Sequence, residues 1–150
     1  MQKEDVMKRT IDLAIRTIKD GNTPFGSVVT KDGVIIAEAA NQTTSDNDPS
    51  AHAELLAIRK AAKKLGRNDL SDCELYASGE PCTMCLSAIY FTGIKKVYVA
   101  YPQEEATKYG FGNPYVREQL ALPNDERDVR YVPLQPENYP HPYEEWKKQK

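Results

Sequence analysis

The chain has 150 residues, of which 40% are hydrophobic and 28% are charged, with a net charge of −2. This length predicts a single domain spanning 1–150. The sequence has neither a long apolar run nor an N-terminal signal sequence, so we expect no membrane span and no export. The weak negative charge argues against a strong phosphate-binding surface, although a local basic patch stays open, so nucleic acid is not the expected partner. Three cysteines are too few for a disulfide framework, which favours a reducing cytoplasm.

The first elements are predicted by the spacing of their apolar residues. Residues 4–20 place apolar side chains at helical intervals and end at Gly21, which predicts a packing helix. Two β-rich runs, 25–30 and 34–40, flank a turn with an Asp-Gly pair and predict a hairpin. Asn41 follows the second strand, where its amide could either bind a substrate or cap a turn.

A polar loop then leads to Ala51-His52-Ala53-Glu54 at the start of a second predicted helix. Asp48 and Ser50 are the expected caps of this helix. His52 is thereby placed at a helix start, and Glu54 follows it two residues later.

Cys82 and Cys85 lie three residues apart, directly after a short predicted strand at 74–77. Pro81 suits the first turn of a helix, because proline lacks the N–H that the first turn leaves unpaired. The two thiols then share one face of that turn, and the positive end of the helix dipole favours their thiolate forms.

Together, His52, Cys82 and Cys85 predict a site for one zinc ion per subunit. Three protein ligands leave the fourth tetrahedral position for water, which is typical of catalytic zinc, and Glu54 can reach that water without being a ligand. The pattern H-x-E followed by P-C-x-x-C is the signature of zinc-dependent nucleobase deaminases. A redox CxxC pair is one alternative. A closed structural zinc site is another, but its fourth ligand would have to be Cys73, which comes before the strand.

Residues 96–100 predict a fourth strand, parallel to the third, because a strand–helix–strand unit with short links crosses over right-handed. Residues 104–109 and 115–122 predict short helices, and 130–132 a fifth short strand. The segment 133–150 is rich in proline and aromatic residues. This tail either packs on its own domain or crosses to a partner subunit.

These motifs resemble the cytidine deaminase-like superfamily, from the first helix to the fourth strand. Histidine before Ala53-Glu54 and methionine between the cysteines are similar to the branch that holds bacterial guanine deaminases and tRNA adenosine deaminases. Pro24-Phe25-Gly26, Gly110-Phe111 and the aromatic tail make the likeness to guanine deaminases the closer one. The resemblance implies an α/β fold with three layers, α/β/α, around a five-stranded mixed sheet, and a homodimer.

The resemblance also implies a function. This function is the hydrolytic deamination of a free nucleobase or nucleoside, with Glu54 as the proton carrier. The conversion of guanine to xanthine is the most expected reaction. We expect the substrate to contact seven residues, namely Asn41, Phe25, Ser78, Gly79, Glu80, Asn113 and Trp146. The guanine enzymes have an acidic residue where Asn113 stands. The sequence leaves open tRNA adenosine deamination, the deamination of cytosine, isocytosine, a triazine or a nucleoside, and a non-catalytic zinc module.

Overall fold

A computed structural model describes residues 2–149 and divides the chain into two compact units, the first ending at Asn113 and the second beginning at Pro114. The first unit contains, in order, α1 (Lys3–Arg16), β1 (Gly26–Lys31), β2 (Val34–Ala40), α2 (Ala53–Leu65), β3 (Cys73–Gly79), α3 (Thr83–Thr92), β4 (Val97–Tyr101) and α4 (Gln103–Lys108). A short 3-10 helix, Thr17–Asp20, extends α1. Within the described residues, no helix is long and apolar enough to cross a membrane.

The sheet of the described residues has four strands in the order β2-β1-β3-β4. Strand β1 is antiparallel to both β2 and β3, whereas β3 and β4 are parallel, as the predicted crossover requires. The fifth strand that the resemblance implies is absent from this sheet. Residues 130–132, expected to form it, have no strand partner in the second unit, where Tyr131 is 74% and Val132 81% exposed.

Helices cover both faces of the sheet, so the three-layer α/β/α arrangement is present. On one face, Leu75 of β3 is fully buried in a cluster that includes Ala57 of α2 and Ile89 of α3. On the other face, Val6 of α1 packs with Val28 of β1 in a second cluster. Burying a side chain of this size contributes about 1.5–3 kcal/mol.

Helix α1 approaches strand β1 closely at Gly26. A Cβ atom at Gly26 would collide with the backbone oxygen of Thr10 and lie 2.9 Å from the backbone nitrogen of Ala14. Glycine is therefore required where the helix crosses the start of the strand. The close approach fixes the position of Phe25, the residue that precedes β1.

The two helices that carry the predicted metal ligands begin slightly later than the sequence predicts. Helix α2 begins at Ala53 with His52 as its N-cap, and α3 begins at Thr83 with Cys82 as its N-cap. Asp48 caps its own loop instead, because its carboxylate accepts from Ser50 N at 2.9 Å and from Ser50 Oγ at 2.7 Å. The expected caps of α2 and the place of Pro81 inside the first turn of α3 are therefore wrong.

The second unit contains α5 (Pro114–Leu120), a 3-10 turn at Asn124–Glu126 and α6 (Pro142–Lys148). None of these three elements contains a buried residue. His141 lies before α6, where its ring nitrogen accepts a hydrogen bond of 3.2 Å from Tyr143 N. This histidine is exposed.

Candidate active site

The three predicted metal ligands come together at the N-termini of α2 and α3. The Nδ1 atom of His52 lies 3.5 Å from Cys82 Sγ and 3.5 Å from Cys85 Sγ. A tetrahedral zinc ion with ordinary Zn–S and Zn–N bond lengths separates its nitrogen and sulfur ligands by about 3.5 Å. The two nitrogen–sulfur distances therefore fit one zinc ion, with Nδ1 as the histidine ligand.

The protonation of the two thiols is unequal. A hydrogen bond from Cys85 lowers the pKa of Cys82 to about 4, against the opposing effect of burial. The same hydrogen bond, together with burial, raises the pKa of Cys85. The hydrogen bond with Cys82 also raises the pKa of His52. The cluster thus favours the thiolate form of Cys82, and zinc binding requires both cysteines to lose their protons.

Cys73 does not contribute to this cluster. It is the first residue of β3, at the opposite end of the strand from the turn that carries Cys82, and it is 3% exposed. Burial raises the pKa of its thiol to about 11, so this cysteine stays protonated. Among the described residues, the cluster therefore has three ligands and no fourth cysteine.

Glu54 lies in the first turn of α2, two residues after His52, and is 6% exposed. Burial raises the pKa of its carboxyl to about 7. A zinc ion held next to it would favour the charged carboxylate. A carboxyl in this setting can accept and return a proton near neutral pH, which is what a general acid–base group requires.

A cavity of about 330 Å³ opens above His52, Glu54 and Cys82. Its size is at the lower end of the range for small-molecule sites. The other residues that line it are Thr23, Phe25, Asn41, Thr43, Ala53, Glu80, Gln103, Ala106, Phe111, Gly112 and Asn113. Four of the predicted substrate contacts, Phe25, Asn41, Glu80 and Asn113, are therefore in the cavity wall.

Asn41 is held firmly in this wall and is 4% exposed. Its backbone N donates to Phe25 O at 2.9 Å, and its side-chain Oδ1 accepts from Thr43 N at 3.0 Å. Its Nδ2 donates to Thr23 Oγ1. Asn41 thus caps the following turn and lines the cavity at the same time, and the two interpretations of this residue are compatible.

Phe25 contacts Phe111 edge to face, with 5.5 Å between the ring centroids. Gly79 makes room for the Phe25 ring, because a Cβ atom there would lie 2.9 Å from a ring carbon. The Ser78 hydroxyl accepts from Gly26 N, the residue after Phe25, at 3.0 Å. Ser78 therefore holds the start of β1, and Gly79 makes room for Phe25. Neither lines the cavity, and their backbone contact with a substrate stays a prediction.

Trp146 lies in α6 of the second unit, where it is 62% exposed. Its contact with a substrate stays a prediction. Sequence reasoning missed seven lining residues, which are Thr23, Thr43, Ala53, Gln103, Ala106, Phe111 and Gly112. Only the glycine-rich pattern around Gly110-Phe111 gave a local signal, and it predicted a loop rather than a binding wall.

Hydrolysis of an amidine C–N bond needs an activated water and a group that carries protons to the departing nitrogen. The zinc ligands and Glu54 place both requirements at the base of one cavity. The fold and the site are those of a zinc-dependent hydrolytic deaminase.

Comparison with known proteins gives the family. Residues 1–101 match the cytidine and deoxycytidylate deaminase zinc-binding region, and the chain belongs to this family. It is 41% identical over 148 residues to the guanine deaminase of Bacillus subtilis (strain 168), covering 98% of this chain and 95% of that protein. The X-ray structure of guanine deaminase from Bacillus subtilis has a TM-score of 0.91 to this chain, with coverage of 99% and 95%.

Two further relatives are similar over a shorter part of the chain. A structure of guanine deaminase from Nitrosomonas europaea is 31% identical with a TM-score of 0.70, covering 73% of this chain and 64% of that one. A tRNA-specific adenosine deaminase of Aquifex aeolicus (strain VF5) is 41% identical over 97 residues, or 65% of this chain and 64% of that protein.

Proposed function

We propose that this enzyme deaminates free guanine to xanthine, consuming one water and releasing one ammonia. The proposal rests on the cavity, because its wall joins the metal cluster to residues 103–113, which lie beyond the family match at 1–101. The similarity to the Bacillus subtilis guanine deaminase extends over 98% of the chain, whereas that to the Aquifex tRNA deaminase extends over 65%. A small base is therefore favoured over a nucleic acid.

The chain's own groups can carry out the proton transfers of this reaction. When bound by His52, Cys82 and Cys85, zinc lowers the pKa of a coordinated water from about 15.7 toward 7. In the reaction, the oxygen of a water molecule adds to the amino-bearing carbon, while the Glu54 carboxylate accepts one proton from that water and passes it to the neighbouring ring nitrogen. Glu54 would then take the second proton from the new hydroxyl group and give it to the amino group. The C–N bond breaks, ammonia leaves and the carbonyl of the product forms. Such proton shuttling typically contributes about 10²–10⁴ in rate.

The decisive experiment measures ammonia release from guanine, guanosine, cytosine, cytidine, adenine and an adenosine-bearing tRNA stem-loop. The Glu54→Gln protein, loaded with zinc, is the blank. We expect strong release from guanine and little from the other five. Release from the RNA alone would overturn the proposal in favour of tRNA editing.

We also propose that the enzyme is a homodimer in which segment 133–150 crosses to the partner and closes its active site. The proposal is supported by large apolar side chains of this segment that are exposed in the single chain: Leu134 is 93%, Tyr139 75% and Tyr143 76% exposed. A segment this short buries too little surface to be stable alone. In the first unit, Tyr90 and Phe91 of α3 are also exposed, at 78% and 90%, and offer an apolar face to a second copy.

Mixing two inactive variants tests the exchange. One carries Glu54→Gln with an intact tail, and the other lacks residues 133–150 but keeps Glu54. If the tail is exchanged, a heterodimer has one complete site, and random mixing restores about a quarter of the wild-type activity. No restoration in a verified heterodimer would mean that the tail packs on its own subunit. A Trp146→Ala chain replaces the truncated one if the truncation does not fold.

We propose a cytoplasmic location because the metal site needs reduced cysteines. Cys73, Cys82 and Cys85 are free thiols in the structure. A site that needs two reduced cysteines suits a reducing compartment. Cell fractionation followed by immunoblotting checks this location.

A further inference from the structure

The cavity wall has two parts, one inside the segment that matches the family and one after it. The zinc ligands and Glu54 lie inside the segment 1–101 that matches the family. Five of the fourteen lining residues come after it, and they belong to α4 and the loop that follows: Gln103, Ala106, Phe111, Gly112 and Asn113. The residues that perform the chemistry are thus shared across the family, so a group that selects this enzyme's substrate is expected in the second part.

Gln103 is the residue of this second part that is tied most directly to the metal centre. Its backbone N donates to the Oε1 atom of Glu80 at 3.1 Å, and its backbone O accepts from Thr107 Oγ1 at 2.9 Å. Glu80 is in turn fixed by a hydrogen bond of 3.0 Å from its own N to Tyr101 O. Because Glu80 comes two residues before Cys82, these hydrogen bonds fix the start of α4 relative to the turn that carries Cys82, called the zinc turn below.

The side-chain amide of Gln103 is left available by this arrangement. It lines the cavity, and in the described part of the chain no protein group forms a hydrogen bond with it. The Asn41 amide, by contrast, is already engaged by Thr43 N and Thr23 Oγ1. When a bound ligand removes this amide from water, binding costs free energy unless the ligand replaces the hydrogen bonds that the amide made to water.

Gly112 keeps the Gln103 amide in place on the opposite side. A Cβ atom at Gly112 would collide with Gln103 Nε2. The backbone φ of Gly112 is +101°, a conformation that residues other than glycine rarely adopt. The glycine lets the loop close against the amide without displacing it. Gln103 is thereby confined between the zinc turn and the loop.

We propose that Gln103 is a specificity-determining residue, whose side-chain amide hydrogen-bonds the polar edge of the base held over the metal centre. This inference rests on the proposed function and deepens it by assigning the choice of base to Gln103. A glutamine amide offers one acceptor and two donor hydrogens, so it pairs with a ring edge that carries both kinds of partner. An ionised glutamate there would only accept, and a methionine of similar length donates nothing and is only a weak acceptor.

The test separates binding from turnover. Kd for guanine and for hypoxanthine is measured by calorimetry on zinc-loaded Glu54→Gln protein, with and without Gln103→Met or Gln103→Glu. KM and kcat are measured for the same Gln103 substitutions in the active enzyme. Glu104→Met is the matched control, because Glu104 is the next residue of α4, is exposed and does not line the cavity.

We expect Gln103→Met to weaken guanine binding by about tenfold, the value of one or two lost hydrogen bonds. KM should rise by a similar factor while kcat stays within about twofold of wild type. Gln103→Glu should change the preference between the two bases, and Glu104→Met should change nothing. Zinc content and the thermal midpoint confirm that each variant is folded.

The possible outcomes distinguish this inference from the proposed function. If wild type deaminates guanine and Gln103→Met leaves Kd, KM and base preference unchanged, the inference is overturned and the function stands. If wild type binds guanine in a Gln103-dependent way but releases no ammonia, the inference stands and the function falls. Absence of any guanine binding contradicts both.

Discussion

The side-chain hydroxyl of Thr17 donates a hydrogen bond of 2.8 Å to the backbone oxygen of Asn41, 24 residues further along the chain. Thr17 is 5% exposed and accepts in turn from Asn22 Nδ2 at 3.0 Å. The Oδ1 atom of Asn22 accepts from Thr44 N and Ser45 N, each at 3.0 Å. The end of α1 thereby supports the wall of the cavity where Asn41 lies.

Thr17→Val removes the hydroxyl while keeping the shape of the side chain, whereas Thr17→Ser keeps the hydroxyl. In the valine variant the buried Asn41 carbonyl loses its partner, which costs about 1–3 kcal/mol of unfolding free energy. We expect a higher KM for guanine with little change in zinc content. Urea denaturation and steady-state kinetics measure both effects. Equal KM values for the serine and valine variants would show that Asn41 does not depend on Thr17.

Glu54→Gln should abolish turnover and leave the metal in place. Glu54 is close to the cluster, but the ligand atoms come from His52, Cys82 and Cys85. We expect kcat to fall by about 10²–10⁴, or below detection, because the amide cannot carry a proton. Metal analysis should still find one zinc per chain. Loss of zinc in parallel with activity would mean that Glu54 is a ligand.

Removal of zinc should lower stability as well as activity. The cluster joins the N-terminus of α2 to that of α3, so the ion links two elements that are distant in sequence. A ligand that binds only the folded chain stabilises it by mass action. We expect a chelator to lower the thermal midpoint of wild type and to have no effect on Cys85→Ser. A chelator that leaves the wild-type midpoint unchanged would argue against this linkage.

An ion pair joins α1 to β2 and predicts a pH-dependent stability. The Arg9 guanidinium donates to both Glu38 oxygens, at 2.9 and 2.6 Å. This hydrogen bonding lowers the pKa of Glu38, with burial opposing it. The stabilisation is therefore complete above the ordinary glutamate pKa and is lost as pH falls through the lower folded value.

Both side chains of this pair are 34% exposed, so solvent screening keeps the contribution small. We expect Glu38→Gln to destabilise by about 0.5–1 kcal/mol at pH 7, and this difference to shrink as pH falls through the folded pKa of Glu38. Urea denaturation over a series of acidic pH values measures this. In an Arg9→Met background the same substitution should have no effect. A difference that persists in that background would assign it to another cause.

The metal cluster could be predicted because its information is local. Cys82 and Cys85 are three residues apart at a helix start, and His52 begins another helix two residues before Glu54. The error lay in the helix boundaries, because His52 and Cys82 are N-caps with extended backbone, at ψ 148° and 175°. Caps share the spacing of the first turn, so the predicted ligands stayed correct although their helices began later.

The rest of the cavity could not be predicted, because tertiary packing assembles it. Thr23 reaches the wall through its hydrogen bond with Asn41, and Gln103 through its backbone bond to Glu80. Neither residue belongs to a local pattern that marks a ligand contact. The hydroxyl of Ser78, near the end of β3, accepts from Gly26 N at the start of β1, 52 residues away in sequence. No local sequence pattern signals such a contact, and a substrate contact through the Ser78 backbone stays a prediction.

Asn113 provides the sharpest test of how far the likeness to guanine deaminases extends. It lines the cavity, at a position where the resemblance implies an acidic residue in guanine deaminases. An amide can hold a base by hydrogen bonds but cannot carry a proton. We expect Asn113→Asp to raise kcat for guanine by at least about tenfold, toward the range of general acid–base catalysis, with KM nearly unchanged.

Asn113→Ser is the control, because it removes the amide without adding an acid. We expect it to leave kcat at the wild-type value or lower, so that any gain in the aspartate variant is due to the carboxyl group. The kcat of the aspartate variant should fall at low pH, as the new carboxylate becomes protonated. If kcat does not rise in Asn113→Asp, Glu54 alone carries the protons of the reaction and residue 113 only shapes the cavity.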